Sequence, residues 1–99
     1  MYQKNAKRFI EEKIKTATPK ELLIMVFDYT LSALKKGDTV SARKGIRELI
    51  DSLDFEKGGE IARNLVALYE YCLRQIHSGN LQEAYDIIKE IRDAYAQIT

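Results

Sequence analysis

Residues 18–38 read TPKELLIMVFDYTLSALKKGD and hold a complete set of helix start and stop signals. Thr18 can cap a helix, the proline after it suits the first helical position, and Glu21 stands three residues beyond the cap. Gly37 can adopt the left-handed conformation that commonly ends a helix, and Asp38 can cap the next one. The stretch therefore predicts one helix followed at once by a second, which is a helical hairpin.

Outside this stretch, apolar residues recur at spacings of three and four, and no segment alternates with period two for long. The chain is therefore predicted to be all-α. A loop at 54–59 and a stop at Gly79 and Asn80 divide the second half into another hairpin. The predicted helices are 3–14, 19–36, 39–53, 60–78 and 81–98, the last of them with Asn80 and Glu83 as a cap-like pair.

Each long helix has an apolar stripe that can face a common core. For helix 60–78 the predicted stripe is Ile61, Leu65, Leu68, Cys72 and Ile76. The two hairpins resemble each other at a constant spacing along the chain, and their short loops favour antiparallel neighbours. We expect one domain over residues 1–99, an antiparallel four-helix bundle with a short extra N-terminal helix. This helix belongs to an N-terminal segment, residues 1–15, that packs on the bundle.

Composition excludes several classes of function. Ninety-nine residues suffice for one core, and a net charge of +1 gives no overall field for nucleic acid or anionic lipid. Residues 1–20 are basic, but Glu11 and Glu12 interrupt the basic face, so nucleic-acid binding is not expected. No apolar run reaches the roughly 20 residues of a membrane span. A single cysteine cannot form an internal disulfide, which favours the cytoplasm.

No group of residues predicts catalysis, a cofactor or a metal site. The only histidine, His77, lies near a helix end, where it can interact with the helix dipole. Cys72 lies on an apolar stripe and is expected to be a buried, unreactive side chain. Asp28 and Glu70 are expected to be solvated or salt-bridged carboxylates. We therefore expect a protein that is not an enzyme.

The unusual feature is an excess of apolar residues on two helices. Six consecutive hydrophobic residues, 22–27, cover the whole circumference of their helix, and Val66, Tyr69 and Leu73 widen the stripe of the long helix. Such surface can be covered by the N-terminal helix or by an oligomer contact. It can also form a groove for the amphipathic helix of a partner.

Three segments resemble the flagellar export chaperone FliS family. Residues 9–28 are similar to the family's first segment, with its Thr-Ala-Ser/Thr-Pro helix start. Residues 53–71, reading LDFEKGGEIARNLVALYEY, resemble its most distinctive segment, and residues 91–95 its closing one. Phe9, Glu12 and Tyr95 stand where the family usually has tyrosine, asparagine and tryptophan. Between the first two segments the chain is shorter than the family pattern, by about two helical turns on each side of Gly37.

The resemblance implies a cytoplasmic chaperone that binds the disordered C-terminal region of flagellin, prevents its premature polymerisation and delivers it to the flagellar export apparatus. It implies no cofactor. The N-terminal segment is then expected to lie over part of the client surface. The alternative is a homodimeric helical adaptor protein without a flagellin client. The residues expected to contact flagellin are Phe9, Ile14, Leu22, Ile24, Met25, Tyr29, Leu65, Val66, Tyr69 and Leu73.

Overall fold

The computed structural model describes residues 18–98, which form four α-helices and no strand. The predicted all-α class is confirmed for this part of the chain. The predicted N-terminal helix, with Phe9 and Ile14, lies outside the described residues. The helices are α1 (Pro19–Lys36), α2 (Thr39–Asp51), α3 (Phe55–His77) and α4 (Leu81–Gln97).

The first two helices begin at the caps that the sequence predicts. The Thr18 hydroxyl accepts a hydrogen bond of 3.2 Å from the backbone N–H of Glu21. The Asp38 carboxylate accepts one of 3.1 Å from the backbone N–H of Ser41. Each bond satisfies a donor that the first turn of a helix otherwise leaves unpaired, so α1 and α2 have fixed starting points.

The helices α1 and α3 end in the same backbone motif. Gly37 and Gly79 both have left-handed backbones, with φ of 76° and 87°. In each turn the N–H of the following residue bonds back across the glycine, to the carbonyl of Ala33 at 2.9 Å and of Gln75 at 2.8 Å. These are Schellman motifs, and they let the chain reverse direction within two residues.

The cap predicted for α4 is not formed. The Asn80 side chain accepts no hydrogen bond from the first turn of α4. Its amide nitrogen instead donates to the side-chain oxygen of Gln75 at 2.9 Å. The prediction was wrong because the same amide can close the preceding turn, and that local bond competes with capping.

The start of α3 also differs from the prediction, which placed residues 54–59 in a loop. Asp54 caps a first helical turn, since its carboxylate accepts bonds of 3.0 Å from the backbone N–H groups of Glu56 and Lys57. Gly59 then breaks the regular backbone with φ 51° and ψ −121°. The predicted loop is therefore a short helical turn and a kink, and the regular part of α3 follows Gly59.

The core-facing stripe of α3 is displaced from the predicted one. Ile61 and Leu68, predicted to face inward, are 70% and 41% exposed. Ala62 and Tyr69 are buried in their place. The predicted stripe and the buried one share Cys72 and Ile76. Both fit the helical period, so periodicity could not separate them.

The core draws on all four helices. Helix α1 packs against α2 and α4, and α3 packs against the same two helices. The rings of Phe27 and Tyr95 join α1 to α4, with centroids 5.5 Å apart. The buried apolar side chains are Phe27, Ala33, Leu34, Ala42, Ile46, Leu49, Ala62, Tyr69, Cys72, Ile76, Ala84 and Ile88.

Candidate binding surface

Helix α1 has a second apolar stripe that reaches the surface, and of its four members only Val26 also packs against the core. Its members, Leu22, Met25, Val26 and Tyr29, follow the spacing of a helix that packs on a partner. Leu22 is 38% exposed and Tyr29 is 48% exposed, while the two between them are half-buried. Part of the apolar excess seen in the sequence is therefore surface. We call these four residues the outer stripe.

The outer stripe forms one wall of a groove between α1 and α2. The groove has a volume of about 420 Å³. Its other wall comes from α2, where Gly45 lies between Lys44 and Glu48. One wall is thus apolar and the other has charged residues along its edge, which suits an amphipathic segment.

Close packing of α1 on α2 shapes the floor of this groove. A β-carbon at position 45 would lie 2.0 Å from the Thr30 hydroxyl oxygen. Thr30 is fully buried, and its hydroxyl donates to the carbonyl of Val26 at 2.8 Å. The absence of a side chain at Gly45 lets the helices approach here and leaves the groove open above it.

A second groove lies on the opposite side of the outer stripe, where α1 meets the end of α4. Its volume is about 560 Å³, and Ile24, Met25 and Asp28 line it together with Ala96. Met25 lines both grooves. The apolar surface therefore continues around the exposed side of α1, and Ile24 belongs to the second groove.

Polar contacts hold α4 against α1 beside the second groove. The Arg92 guanidinium donates from Nε to the Asp28 carboxylate at 3.0 Å, and this hydrogen bond raises the pKa of Arg92. The Lys20 ammonium donates to the carbonyls of Ala96 and Ile98 at the end of α4. Asp28 is therefore salt-bridged, which agrees with the structural role that we preferred over acid–base chemistry.

The predicted residues of α3 do not all reach the surface. Leu65, Val66 and Leu73 are half-buried. Tyr69 is 1% exposed and packs in the core, and its burial raises the pKa of its hydroxyl. The prediction that Tyr69 contacts a partner was wrong because the inward stripe of α3 passes through it.

Sequence reasoning missed the α2 side of the first groove, namely Lys44, Gly45 and Glu48. One signal was available. An isolated glycine inside a helical pattern costs about 1 kcal/mol relative to alanine, and glycine is used where another part of the chain approaches closely. Gly45 is such a glycine, with charged residues one position before it and three after it.

The described residues offer little for catalysis. Cys72 is fully buried, and burial raises the pKa of its thiol to about 11, so the reactive thiolate is disfavoured. Within residues 18–98 no His, Cys, Asp and Glu side chains cluster in a way that could hold a metal ion. In the same range, none of the helices is apolar enough over a sufficient length to cross a membrane.

Comparison with known proteins identifies the family. The family model described as flagellar protein FliS matches residues 35–99. The chain belongs to the FliS family. The match covers α2, α3 and α4 completely, and the FliS resemblance of the N-terminal motif lies outside it.

Curated relatives support the same assignment, and each is named flagellar secretion chaperone FliS. The protein of Salmonella typhimurium is 33% identical, over 90% of this chain and 77% of its own length. The Escherichia coli protein is 31% identical, over 83% of this chain and 71% of its own length. The Vibrio cholerae protein is 27% identical, over 90% of this chain and 81% of its own length. No solved structure gives a significant match.

The alignments also bear on the length of this FliS chain. The alignment with the Salmonella typhimurium protein extends over 104 residues, which exceeds the 99 residues of the chain itself. The relative therefore has residues that this chain lacks. This agrees with the shortening that the sequence motifs indicate.

Proposed function

We propose that the protein is a cytoplasmic flagellar secretion chaperone that binds the disordered C-terminal region of flagellin and delivers it to the export apparatus. The outer stripe of α1, exposed beside a groove, is the observation that carries this proposal. Membership of the FliS family supports it, because the relatives are named flagellar secretion chaperones. The contacts of each helix with two others support the antiparallel four-helix bundle as the scaffold.

The physical basis is protection of an amphipathic segment. A disordered chain with an apolar face cannot bury that face alone, and in solution it associates with copies of itself. A groove with one apolar wall can bury the face by taking the segment as a helix. Flagellin bound in this way would be prevented from polymerising before export.

The corrected binding surface centres on α1. It comprises the outer stripe and Ile24, which together surround Met25. Leu65, Val66 and Leu73 are proposed as a further part on α3, with Phe9 and Ile14 from the N-terminal segment. Tyr69 is removed from the set because it is buried.

Replacing Met25 with aspartate tests the proposal directly. A charge there would lie in both grooves, and we expect the affinity for a flagellin C-terminal peptide to fall by about tenfold or more, as when a contact residue of a binding surface is lost. Ile61→Asp is the control, since Ile61 is also a large apolar residue, is more exposed than Met25 and lines neither groove. Isothermal titration calorimetry gives the affinities, and circular dichroism checks that both variants fold.

Equal weakening by the two variants, or none by Met25→Asp, would contradict the proposed surface. The alternative is a homodimeric adaptor protein without a flagellin client, in which a second copy covers the outer stripe. Light scattering separates the two functions. A stable dimer that Met25→Asp dissociates, and that binds no flagellin peptide, would favour the adaptor.

A further inference from the structure

The two walls of the α1–α2 groove differ in whether they contain charged residues. The outer stripe has no charged side chain, whereas Lys44 and Glu48 on α2 place one charge of each sign at the edge. They are four residues apart, so one helical turn of about 6 Å separates them along the groove. The edge is therefore an ordered pair of charges.

Within residues 18–98, neither charge at this edge is neutralised by an ion pair. Neither Lys44 nor Glu48 takes part in an ion pair with another of residues 18–98. Their order along α2, lysine before glutamate, is also the weaker arrangement for a pair within one helix. A client helix in the groove thus meets two charges that the described part of the protein does not neutralise.

We infer that Lys44 and Glu48 set the direction in which a client helix lies in the α1–α2 groove. The fitting occupant is an amphipathic helix with an acidic and a basic residue one turn apart on its flank. The acidic residue faces Lys44 and the basic residue faces Glu48. If the acidic residue comes first, the client runs in the same direction as α2; if the basic residue comes first, it runs in the opposite direction.

This division of roles follows from the energetics. The apolar wall supplies affinity but does not distinguish the two directions, because burial of apolar surface is non-directional. An exposed ion pair changes a binding constant by about fivefold at most. Such a contribution is too small to bind the client and large enough to select one orientation. The client is the one proposed above, so this role of the two charges depends on that function.

The test uses two synthetic helical peptides of identical composition with the same apolar stripe. On the flank, one has glutamate followed one turn later by lysine, and the other has the reverse order. A nitroxide label at the peptide N-terminus broadens nearby amide signals of the isotope-labelled full-length chain. Ser41 reports the Lys44 end of the groove, and Ser52 reports the Glu48 end.

With the glutamate-first peptide we expect broadening mainly at Ser41. In the charge-swapped variant Lys44→Glu/Glu48→Lys, the broadening should be found mainly at Ser52. The ratio of broadening at Ser41 to broadening at Ser52 should change by about fivefold or more at low salt. The lysine-first peptide should give the reverse in both proteins. Arg63→Glu/Glu70→Arg on α3 keeps the net charge and should leave the direction unchanged.

Several outcomes would overturn the inference. A peptide that binds in the same direction to both proteins shows that the charges do not set its orientation. Absence of binding by either peptide and by flagellin means that the proposed function itself fails. Broadening of groove signals that rises with protein concentration, without peptide, assigns the groove to a second copy. If the amide signals of the groove change only when residues 1–14 are removed, and the shortened protein binds no peptide, the groove is occupied by the N-terminal segment.

Discussion

Gly45 of α2 lies directly against Thr30 of α1, so closely that a β-carbon at position 45 would be 2.0 Å from the threonine hydroxyl oxygen. Both residues are buried, and the contact fixes the distance between the first two helices. Glycine inside a helix is unfavourable by about 1 kcal/mol relative to alanine. The contact with Thr30 explains why a helix that forms one wall of the groove nevertheless has glycine here.

Substituting Gly45 with alanine is expected to destabilise the protein. The added methyl group would force α1 and α2 apart, and overpacking of this kind costs about 1 to 3 kcal/mol. That cost opposes the roughly 1 kcal/mol gained from helix propensity. We expect the free energy of unfolding, measured by urea denaturation, to fall by about 1 kcal/mol, the difference between these two effects.

Thr30→Ala supplies the matched background for this substitution. It removes the hydroxyl oxygen nearest to position 45, although the β-carbon, which would be 3.0 Å away, remains. In this background Gly45→Ala should cost less than in the wild type, and the double-mutant cycle should show coupling between the sites. Equal costs in both backgrounds would contradict the packing explanation.

The kink in α3 depends on Gly59. Its φ of 51° and ψ of −121° are rarely adopted by residues with a side chain, and holding one there costs about 1 to 3 kcal/mol. Gly59→Val should lower the melting temperature and leave the affinity for a flagellin peptide intact. Unchanged stability together with lost binding would instead place this segment in the interface.

Cys72 should be unreactive in the folded protein. Burial raises the pKa of its thiol to about 11 and also blocks access by a reagent. The rate of reaction with Ellman's reagent at mildly alkaline pH should be far lower in buffer than in denaturing urea. Rapid labelling of the native protein would show that α3 opens readily.

Acid should weaken the cap of α2. Hydrogen bonds from Ser41 lower the pKa of the Asp38 carboxyl from its usual 3.8. Asp38 therefore stabilises the fold above pH 3.8, and this contribution is lost as the pH falls through the lower folded-state value. The substitution Asp38→Asn keeps a side chain that can cap a helix but does not titrate. Thermal melts at neutral pH and at a pH well below 3.8 should show a smaller acid-induced fall in melting temperature for the variant than for the wild type.

Client affinity should tolerate salt. The proposed contacts are mainly apolar, and the net charge of +1 gives no overall attraction. The dissociation constant of a flagellin C-terminal peptide should change less than about threefold between low and moderately high salt, because few ion pairs contribute. A loss of orders of magnitude would show that the basic N-terminal stretch carries the binding.

Local signals predicted local structure well. Thr18, Asp38 and Gly37 act within a few residues of chain, and the structure confirms all three. The inward face of α3 was harder, because its apolar arc is wide enough that Ile61 or Ala62 could begin the stripe. Which one is buried depends on contacts with α2 and α4, and the sequence of α3 alone does not contain them.

The candidate surface was predicted in part for the same reason. Six consecutive apolar residues on α1 had to leave some side chains outside one core, so Leu22 and Met25 could be selected from sequence. Lys44 and Glu48 could not, because charged residues on a helix surface are common. They become candidates only once Gly45 is seen to bring α2 against α1.

The length of α2 has a consequence for how long a client stays bound. Its 13 residues extend for about 20 Å, and the α1–α2 groove can be no longer than this. A client in this groove therefore has few side chains to release, and among related complexes such differences appear mainly in the dissociation rate. Under the proposed function, the short α2 therefore predicts brief, repeated occupancy of the groove and a residence time set by the dissociation rate.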